Sequence, residues 1–285
     1  MPASPLTRRS VLAGGLGAIA LSACRSKGDS TARSSGLNLL VVTPAVRAGQ
    51  PSRLVFVLQN DDREPITPRS ATFRFGPTPE KMTSPIAEAA IRTDAAPATS
   101  YVTLSVQLSP VGTVWAEITA DGKKATAPIT VVDAIPGIGP GEALPSLVTP
   151  SPGDLAGLEV ACTRQPACPL HDVSLDKALQ QKRPLAVLVA TPAFCQTAVC
   201  GPVLDVLLKA APVVSDKVGF VHLEVYAERP KDRIEGTPLS PAVKAFRLEA
   251  EPTLYLVGAD GLVKDRIDGI FGTGEVTQAL ATLTA

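Results

Sequence analysis

Alternating apolar and polar residues over 37–133 predict a domain built from β-strands. The clearest alternation runs from Tyr101 to Leu108, where every second residue is apolar. A period of two is typical of a strand with one buried face. The apolar row that starts at Val102 should face a core, and the row of Tyr101 and Thr103 should face solvent. The pattern therefore predicts an all-β domain in this part of the chain.

A different pattern begins near residue 154. Residues 185–190 form a continuous apolar run, which indicates a strand buried on both faces, and residues 218–225 are predicted to form a second such strand. Ser240–Pro241 offers an N-cap and a first-turn proline for a helix, and apolar residues with helical spacing follow Thr273. Buried strands alternating with helices predict an α/β domain over residues 154–285.

Two domains of different type are therefore expected. Roughly seven short strands in residues 37–133 suit an immunoglobulin-like β-sandwich. Residues 134–153 are rich in proline and glycine, which predicts a stiff, extended linker that does not pack into a core. The α/β domain follows this linker.

The N-terminal residues carry features of an exported protein. Arg8–Arg9 precede an apolar run that ends in Leu-Ser-Ala-Cys at residues 21–24. The arginine pair resembles a twin-arginine export signal, with the general Sec route as the alternative, and residues 21–24 resemble the lipobox of bacterial lipoproteins. The resemblance implies that residues 1–23 are a signal peptide, that Cys24 carries the lipid, and that the protein is anchored to the outer face of the cell membrane. Residues 24–36 are Ser-rich and are expected to form a flexible tether.

The net charge and the positions of the glycines give no support for a nucleic-acid partner or a bound cofactor. The formal net charge is +0, so nothing in the charge balance favours nucleic acid. The glycine-rich stretches fall in the predicted signal peptide and linker and do not follow a strand, so no cofactor is predicted.

The cysteines carry the candidate chemistry. The chain has five, and four remain when Cys24 is assigned to lipid: Cys162, Cys168, Cys195 and Cys200. An even number in an oxidising compartment predicts disulfides. Pairing of sequence neighbours, Cys162 with Cys168 and Cys195 with Cys200, is the simplest of the possible arrangements.

The order of predicted elements in the α/β domain, β-α-β-α-β-β-α, resembles the thioredoxin fold. A buried strand leads into Phe194–Cys195 at the start of a helix, and Pro202 lies where thioredoxins carry a kinking proline. Glu251–Pro252 precedes the third strand and looks like the thioredoxin cis-proline.

The resemblance implies thiol–disulfide exchange on other exported proteins. Cys195 would attack, Cys200 would resolve the mixed disulfide, and Pro252 would shape the site. A cysteine at a helix N-terminus is favoured as the attacking thiolate. The active site would be a variant one, because thioredoxins carry W-C-G-P-C and this chain has two more residues between its cysteines.

The longer spacing sets a geometric condition. In a continuous helix, residues i and i+5 are about 7.5 Å apart along the axis, whereas a disulfide needs Cα atoms about 4.4–6.8 Å apart. We therefore expect a bridge only if the chain from Cys195 to about Ala198 is not helical.

Acidic residues also depart from the thioredoxin pattern. Thioredoxins bury an aspartate in the strand before the first cysteine, and the matching position here is Val189. Glu251 stands where an uncharged residue is usual. If its carboxylate faces the thiols it would disfavour the thiolate, and the alternative is that it faces solvent.

Two other functions stay open beside thiol–disulfide exchange. One is a non-enzymatic interaction or scaffold protein of the cell envelope with structural disulfides. The other is a copper-binding thioredoxin-fold protein, since soft thiolates suit Cu(I), with Cys195, Cys200 and His222 as candidate ligands. Cys162, Cys168 and His171 belong to the same metal hypothesis, although His222 is expected to be a core histidine and His171 a surface residue.

Overall fold

The strands between residues 38 and 132 of the computed structural model form two sheets that share a core. The structure describes residues 36–95, 100–195, 199–231 and 233–284. The strands are β1 (Asn38–Val41), β2 (Val46–Arg47), β3 (Pro51–Gln59), β4 (Ala71–Gly76), β5 (Ala87–Glu88), β6 (Ala90–Arg92), β7 (Tyr101–Gln107), β8 (Gly112–Ala120) and β9 (Lys123–Val132). One sheet has the order β1-β3-β7-β6 and the other the order β2-β9-β8-β4-β5. The predicted signal peptide, Cys24 and nearly all of the predicted tether lie outside the described residues.

Apolar rows from both sheets meet in the core of this sandwich, as the alternation predicts. Val102 and Leu104 of β7 pack in the same cluster as Phe73 of β4 and Ile118 of β8. The turn at Asp121–Gly122 has positive φ at both residues, which is the geometry of a tight hairpin between β8 and β9. The all-β domain predicted from the sequence is confirmed.

The second face of β7 differs from the prediction. Tyr101 and Thr103 are buried, although the alternation places them towards solvent. Tyr101 packs with Val55 and Val57 of β3 and with Ile270 from the second half of the chain. A period of two shows that the two faces differ in polarity, but it cannot show that another part of the chain covers the less apolar face.

The second half of the chain forms a mixed sheet with helices on both sides. Its elements are α1 (Leu175–Gln180), β10 (Leu185–Val189), α2 (Cys200–Val214), β11 (Gly219–Leu223), α3 (Pro241–Phe246), β12 (Thr253–Val257), β13 (Val263–Asp268) and α4 (Thr273–Leu283). The strand order is β11-β10-β12-β13. β10 pairs in parallel with β11 and antiparallel with β12, which in turn pairs antiparallel with β13.

The continuous apolar run of β10 is explained by burial on both faces. Ala186 and Leu188 point into a cluster with residues of α2 and α4. Leu185 and Val187 point into a second cluster with residues of α1 and α3. A strand between two helical layers has no polar face, as predicted. β10 is an internal strand of the sheet, and the chain continues from its carboxyl end to Cys195.

The proline- and glycine-rich segment 134–153 packs more closely than the linker prediction expects. Ile138 and Leu144 are buried in the cluster on the α1 and α3 side of the mixed sheet. The segment also exchanges backbone hydrogen bonds with β13, through Gly141 and Glu142 to Val263. The expectation that it does not pack into a core is wrong, because its few apolar residues are spaced to reach one side of the sheet.

The ion pair of Arg53 and Glu275 connects the sandwich to the second half of the chain. The guanidinium of Arg53 on β3 donates to both carboxylate oxygens of Glu275 on α4, at 2.5 and 2.8 Å. The same guanidinium donates to the carbonyls of Asp268 and Ile270. The Tyr101 hydroxyl donates to Glu275 at 3.0 Å, and burial, followed by the charge of Glu275, raises the pKa of Tyr101. The contact is therefore a hydrogen-bonded network around one carboxylate.

Each helix that the structure describes is too short or too polar to cross a membrane.

Candidate functional site

A disulfide joins Cys195, which follows β10, to Cys200, the first residue of α2. The two Cα atoms are 5.9 Å apart, within the range that a disulfide requires. This separation satisfies the distance requirement for a bridge, and α2 begins at Cys200, after Cys195. The predicted helix start at Cys195 is therefore five residues too early. Gln196 to Ala198 lie outside the described residues.

The two cysteines of this disulfide differ in burial. Cys200 is 0% exposed, whereas Cys195 is only partly buried at the edge of the same apolar cluster. The backbone N–H of Cys200 points at Cys195 Sγ across 3.3 Å. An N–H at the start of a helix stabilises negative charge on a sulfur, so a reduced Cys195 would be favoured as the thiolate.

Glu251 faces the disulfide. Its Oε2 accepts a hydrogen bond from the Thr191 N–H at 3.0 Å and lies 3.4 Å from Cys200 Sγ. Burial raises the pKa of Glu251 from 4.5 to about 7, against the opposing effect of the Thr191 hydrogen bond. Of the two orientations that the sequence left open, the structure has the one towards the thiols. Pro252 follows directly, and the Glu251–Pro252 peptide bond is cis.

The carboxylate near the thiols thus comes from a different strand than in the thioredoxin pattern. Val189 is fully buried in β10 on the α1 and α3 side and pairs with Thr253. The acid that reaches the thiols is instead Glu251, in the loop two residues before β12. In the sequence, the feature that points to a carboxylate near the thiols is Glu251, an acidic residue directly before the proline that precedes β12.

Glu251 should make stability depend on pH. Its pKa is raised in the folded chain, to about 7 from 4.5. Within that window the folded chain keeps a proton that the unfolded chain has released, so the free energy of unfolding falls as the pH rises. We expect the Glu251→Gln variant to be about 3 kcal/mol more stable than the wild type at pH 8 and equally stable at about pH 4.

Urea titrations of both proteins at the two pH values measure this difference. The matched control is Glu249→Gln, because Glu249 lies in the same loop and is exposed. A Glu251→Gln variant that is no more stable than the wild type at pH 8 would contradict the raised pKa.

A second cysteine cluster lies beside the first. The sequence led us to expect two disulfides. The Cys195–Cys200 disulfide is present, whereas Cys162 and Cys168 are both free, buried thiols. A hydrogen bond between the two thiols lowers the pKa of Cys162 and raises that of Cys168.

Both histidines complete this second cluster. His222, on β11, is 0% exposed, as predicted for a core histidine. His171 is 8% exposed, so its predicted surface position is wrong. The candidate copper set of Cys195, Cys200 and His222 is not brought together, since His222 Nδ1 faces Cys162 and Cys168 instead.

Thr163 connects the two clusters. Its N–H and hydroxyl both donate to Glu224 Oε1, at 2.6 and 2.9 Å. Its hydroxyl oxygen accepts from the Ala193 N–H at 3.2 Å, two residues before Cys195. Burial raises the pKa of Glu224, and the charge of Glu224 contributes to the raised pKa of Glu251. The loop that carries Cys162 therefore forms one wall of the disulfide site.

Comparison with known proteins gives weak similarities to β domains. No protein-family model matches the chain, and no curated protein matches it. Among solved structures, domains 4 and 5 of the S-layer protein SbsC are 17% identical at a TM-score of 0.21, over 33% of this chain and 44% of that one. The Lin-41 filamin domain is 7% identical at a TM-score of 0.24, over 35% and 96%. Titin M4 is 13% identical at a TM-score of 0.20, over 34% and 95%.

Proposed function

We propose that this chain is a membrane-anchored protein that exchanges disulfides with other exported proteins, through Cys195 and Cys200. The observation that carries the proposal is the Glu251 carboxylate, 3.4 Å from the sulfur of Cys200. A purely structural bridge has no need of an acid beside its inner sulfur, where the Glu251 side chain lies half-buried. Such an acid is costly to bury, and perturbed acids of this kind cluster at functional sites.

A thioredoxin-like fold for the second half of the chain is part of the proposal. The mixed sheet of order β11-β10-β12-β13, with α2 beginning at one cysteine of the pair, supports it. Pro252, directly after Glu251 and directly before β12, supports it as well. An immunoglobulin-like topology for the sandwich is proposed from its strand number and its two-sheet core.

Export and lipid attachment belong to the same proposal. Their support is the Arg8–Arg9 pair and the Leu-Ser-Ala-Cys motif that ends at Cys24. A lipid on Cys24 would hold the exchanging pair at the outer face of the membrane, where exported proteins acquire disulfides.

The exchange begins at the accessible sulfur. When the chain reduces a partner, the Cys195 thiolate attacks one sulfur of the partner's disulfide, and the partner's other sulfur leaves as a thiolate. The Cys200 thiol then gives its proton to the Glu251 carboxylate, and its sulfur attacks Cys195 Sγ. The Cys195–Cys200 bond forms, the partner leaves with its second sulfur reduced, and Glu251 releases the proton to solvent. The reverse sequence oxidises a partner dithiol, and in either direction two electrons are exchanged.

Removal of the resolving thiol tests the proposal. In the full-length Cys200→Ser variant the mixed disulfide at Cys195 cannot resolve, so we expect it to accumulate, both with cellular partners and with added glutathione disulfide. Peptide mass spectrometry of thiol-blocked samples identifies the cysteine that carries the partner. The matched control is the double variant Cys195→Ser/Cys200→Ser, which retains both buried thiols of the second cluster.

The opposite result has a clear meaning. If Cys200→Ser captures no more partner or glutathione at residue 195 than the double variant does, the bridge is structural and the protein is a scaffold or interaction protein.

A further inference from the structure

Four side chains that commonly bind metals converge in the second cysteine cluster. Cys162, Cys168 and His171 come from the loop before α1, and His222 comes from β11. Their donor atoms all lie within 4.8 Å of one another. All four side chains are buried: Cys162 at 6% exposed, Cys168 at 5%, His171 at 8% and His222 at 0%. Two sulfurs and two imidazole nitrogens are thus held together in the protein interior.

The three distances from His222 Nδ1 to the other donor atoms fit a tetrahedral metal site. His222 Nδ1 lies 3.7 Å from Cys162 Sγ, 3.4 Å from Cys168 Sγ and 3.1 Å from His171 Nε2. Zinc binds thiolate sulfur at about 2.3 Å and imidazole nitrogen at about 2.0–2.1 Å, so a tetrahedron has S···N edges of about 3.5 Å and an N···N edge of about 3.3 Å. The measured distances lie within a few tenths of an ångström of these edges.

Hydrogen bonds orient two of the donors, His222 and Cys162. His222 Nε2 lies 3.0 Å from the Ala190 carbonyl oxygen, so Nε2 carries the proton and donates it, and Nδ1 directs a lone pair at the cluster. A ligating histidine ordinarily donates its other ring N–H in this way. The Cys168 backbone N–H points at Cys162 Sγ across 3.5 Å, which favours the thiolate there.

We propose that Cys162, Cys168, His171 and His222 bind one Zn²⁺ ion. Zinc suits a closed, tetrahedral site with two sulfurs and two nitrogens, and four protein ligands leave no position for a substrate, as in structural zinc sites. Zinc also accounts for two thiols that remain free at close range in a chain proposed to work in an oxidising compartment, where such thiols otherwise form a disulfide.

The proposed ion would fasten a loop to the sheet. Residues 162–171 have no regular secondary structure, and a backbone hydrogen bond from the His222 N–H to the Leu170 carbonyl connects this loop to β11. A metal with three ligands in the loop and one on β11 would hold the loop in place. Because Thr163 of this loop contacts Ala193, the ion would also maintain one wall of the Cys195–Cys200 site. The zinc site does not depend on the proposed exchange activity.

Metal analysis of the full-length chain tests the proposal. We expect about one zinc per chain by elemental analysis and native mass spectrometry after purification without chelators. Cobalt added to the metal-free chain should give the visible spectrum of tetrahedral Co²⁺ with a sulfur-to-cobalt charge-transfer band, a readout that needs no variant. Chelation should lower the thermal midpoint of unfolding, because the metal binds the folded chain and hardly the unfolded one.

Variants locate the ligands. Zinc affinity should fall by more than about 100-fold in His171→Ala and in Cys168→Ser, since even the loss of a residue that supports a ligand costs about 10–100-fold. The matched control is Cys195→Ser/Cys200→Ser, which should keep its zinc.

Three results would overturn the assignment. The first is a Cys162–Cys168 disulfide in a peptide map of the native chain. The second is a metal-free chain that gives neither tight zinc binding nor a tetrahedral cobalt spectrum. The third is stoichiometric copper in place of zinc. Each of these leaves the trapping experiment at Cys195 unaffected, so failure of the zinc site and failure of the exchange function are distinguishable.

Discussion

Replacing Glu251 by glutamine is expected to slow the resolution of a mixed disulfide at Cys195 by about 100-fold above pH 7. The Cys200 thiol is fully buried and must lose its proton before its sulfur attacks, and the Glu251 carboxylate lies 3.4 Å from that sulfur. A positioned proton acceptor typically contributes about 10²–10⁴-fold to such a step. The amide of glutamine keeps the shape of the side chain and cannot accept the proton.

The pH profile separates this role from a structural one. Burial raises the pKa of Glu251 to about 7, so the wild-type rate of resolution should rise as the carboxyl group ionises through that pH. The Glu251→Gln variant should lack this inflection. The rate is measured by rapid mixing of the reduced full-length chain with glutathione disulfide, followed by acid quenching and mass spectrometry of the Cys195 peptide.

Glu249→Gln is the matched control, since it removes an exposed acid from the same loop. We expect its rate and pH profile to equal those of the wild type. An unchanged rate and an unchanged profile in Glu251→Gln would show that the carboxylate takes no part in the proton transfer.

Loss of Glu275 is expected to lower the free energy of unfolding by about 3 kcal/mol. The Glu275→Ala variant leaves the Arg53 guanidinium and the Tyr101 hydroxyl without their shared acceptor at a largely buried contact, where the side chains of Arg53 and Glu275 are 22% and 15% exposed. Breaking a buried pair by removing one partner costs about 3–5 kcal/mol, because the remaining charge stays desolvated.

A double-mutant cycle with Arg53→Ala measures the coupling, by urea unfolding followed with a far-UV signal. We expect an interaction free energy of at least about 2 kcal/mol. The control is Glu117→Ala, which removes an ion pair to Lys124, whose side chain is 60% exposed, and should cost less than about 1 kcal/mol. Equal losses in Glu275→Ala and Glu117→Ala would show that this network does not stabilise the contact between the two halves.

The local elements of the fold were largely predictable from the sequence. The alternation from Val102 to Leu108 and the continuous run of β10 each report how many faces of a strand are buried, because side chains alternate along a strand. The burial of Tyr101 was not predictable, since it depends on Ile270 and Glu275, which are brought there by the packing of the second half. The same applies to Ile138 and Leu144, whose partners lie in the mixed sheet.

The candidate site was predictable in part. The sequence placed Cys195 and Cys200 at the end of a buried strand and stated the condition under which they bridge. It also named Glu251 and Pro252, but an acidic residue before a strand can turn towards the thiols or towards solvent. That choice depends on the Thr191 N–H, which comes from the neighbouring strand end and donates to Glu251.

By itself, the sequence determined the all-β first half, the buried strands of the second half and the position of one cysteine pair, because each follows from residues close together in the chain. The tertiary structure decided the partners of those residues. His222 meets Cys162 across 60 residues, and Glu275 meets Arg53 across 222. Contacts at such separations depend on strand order and on the packing of one layer against another. The local pattern of apolar and polar residues specifies neither.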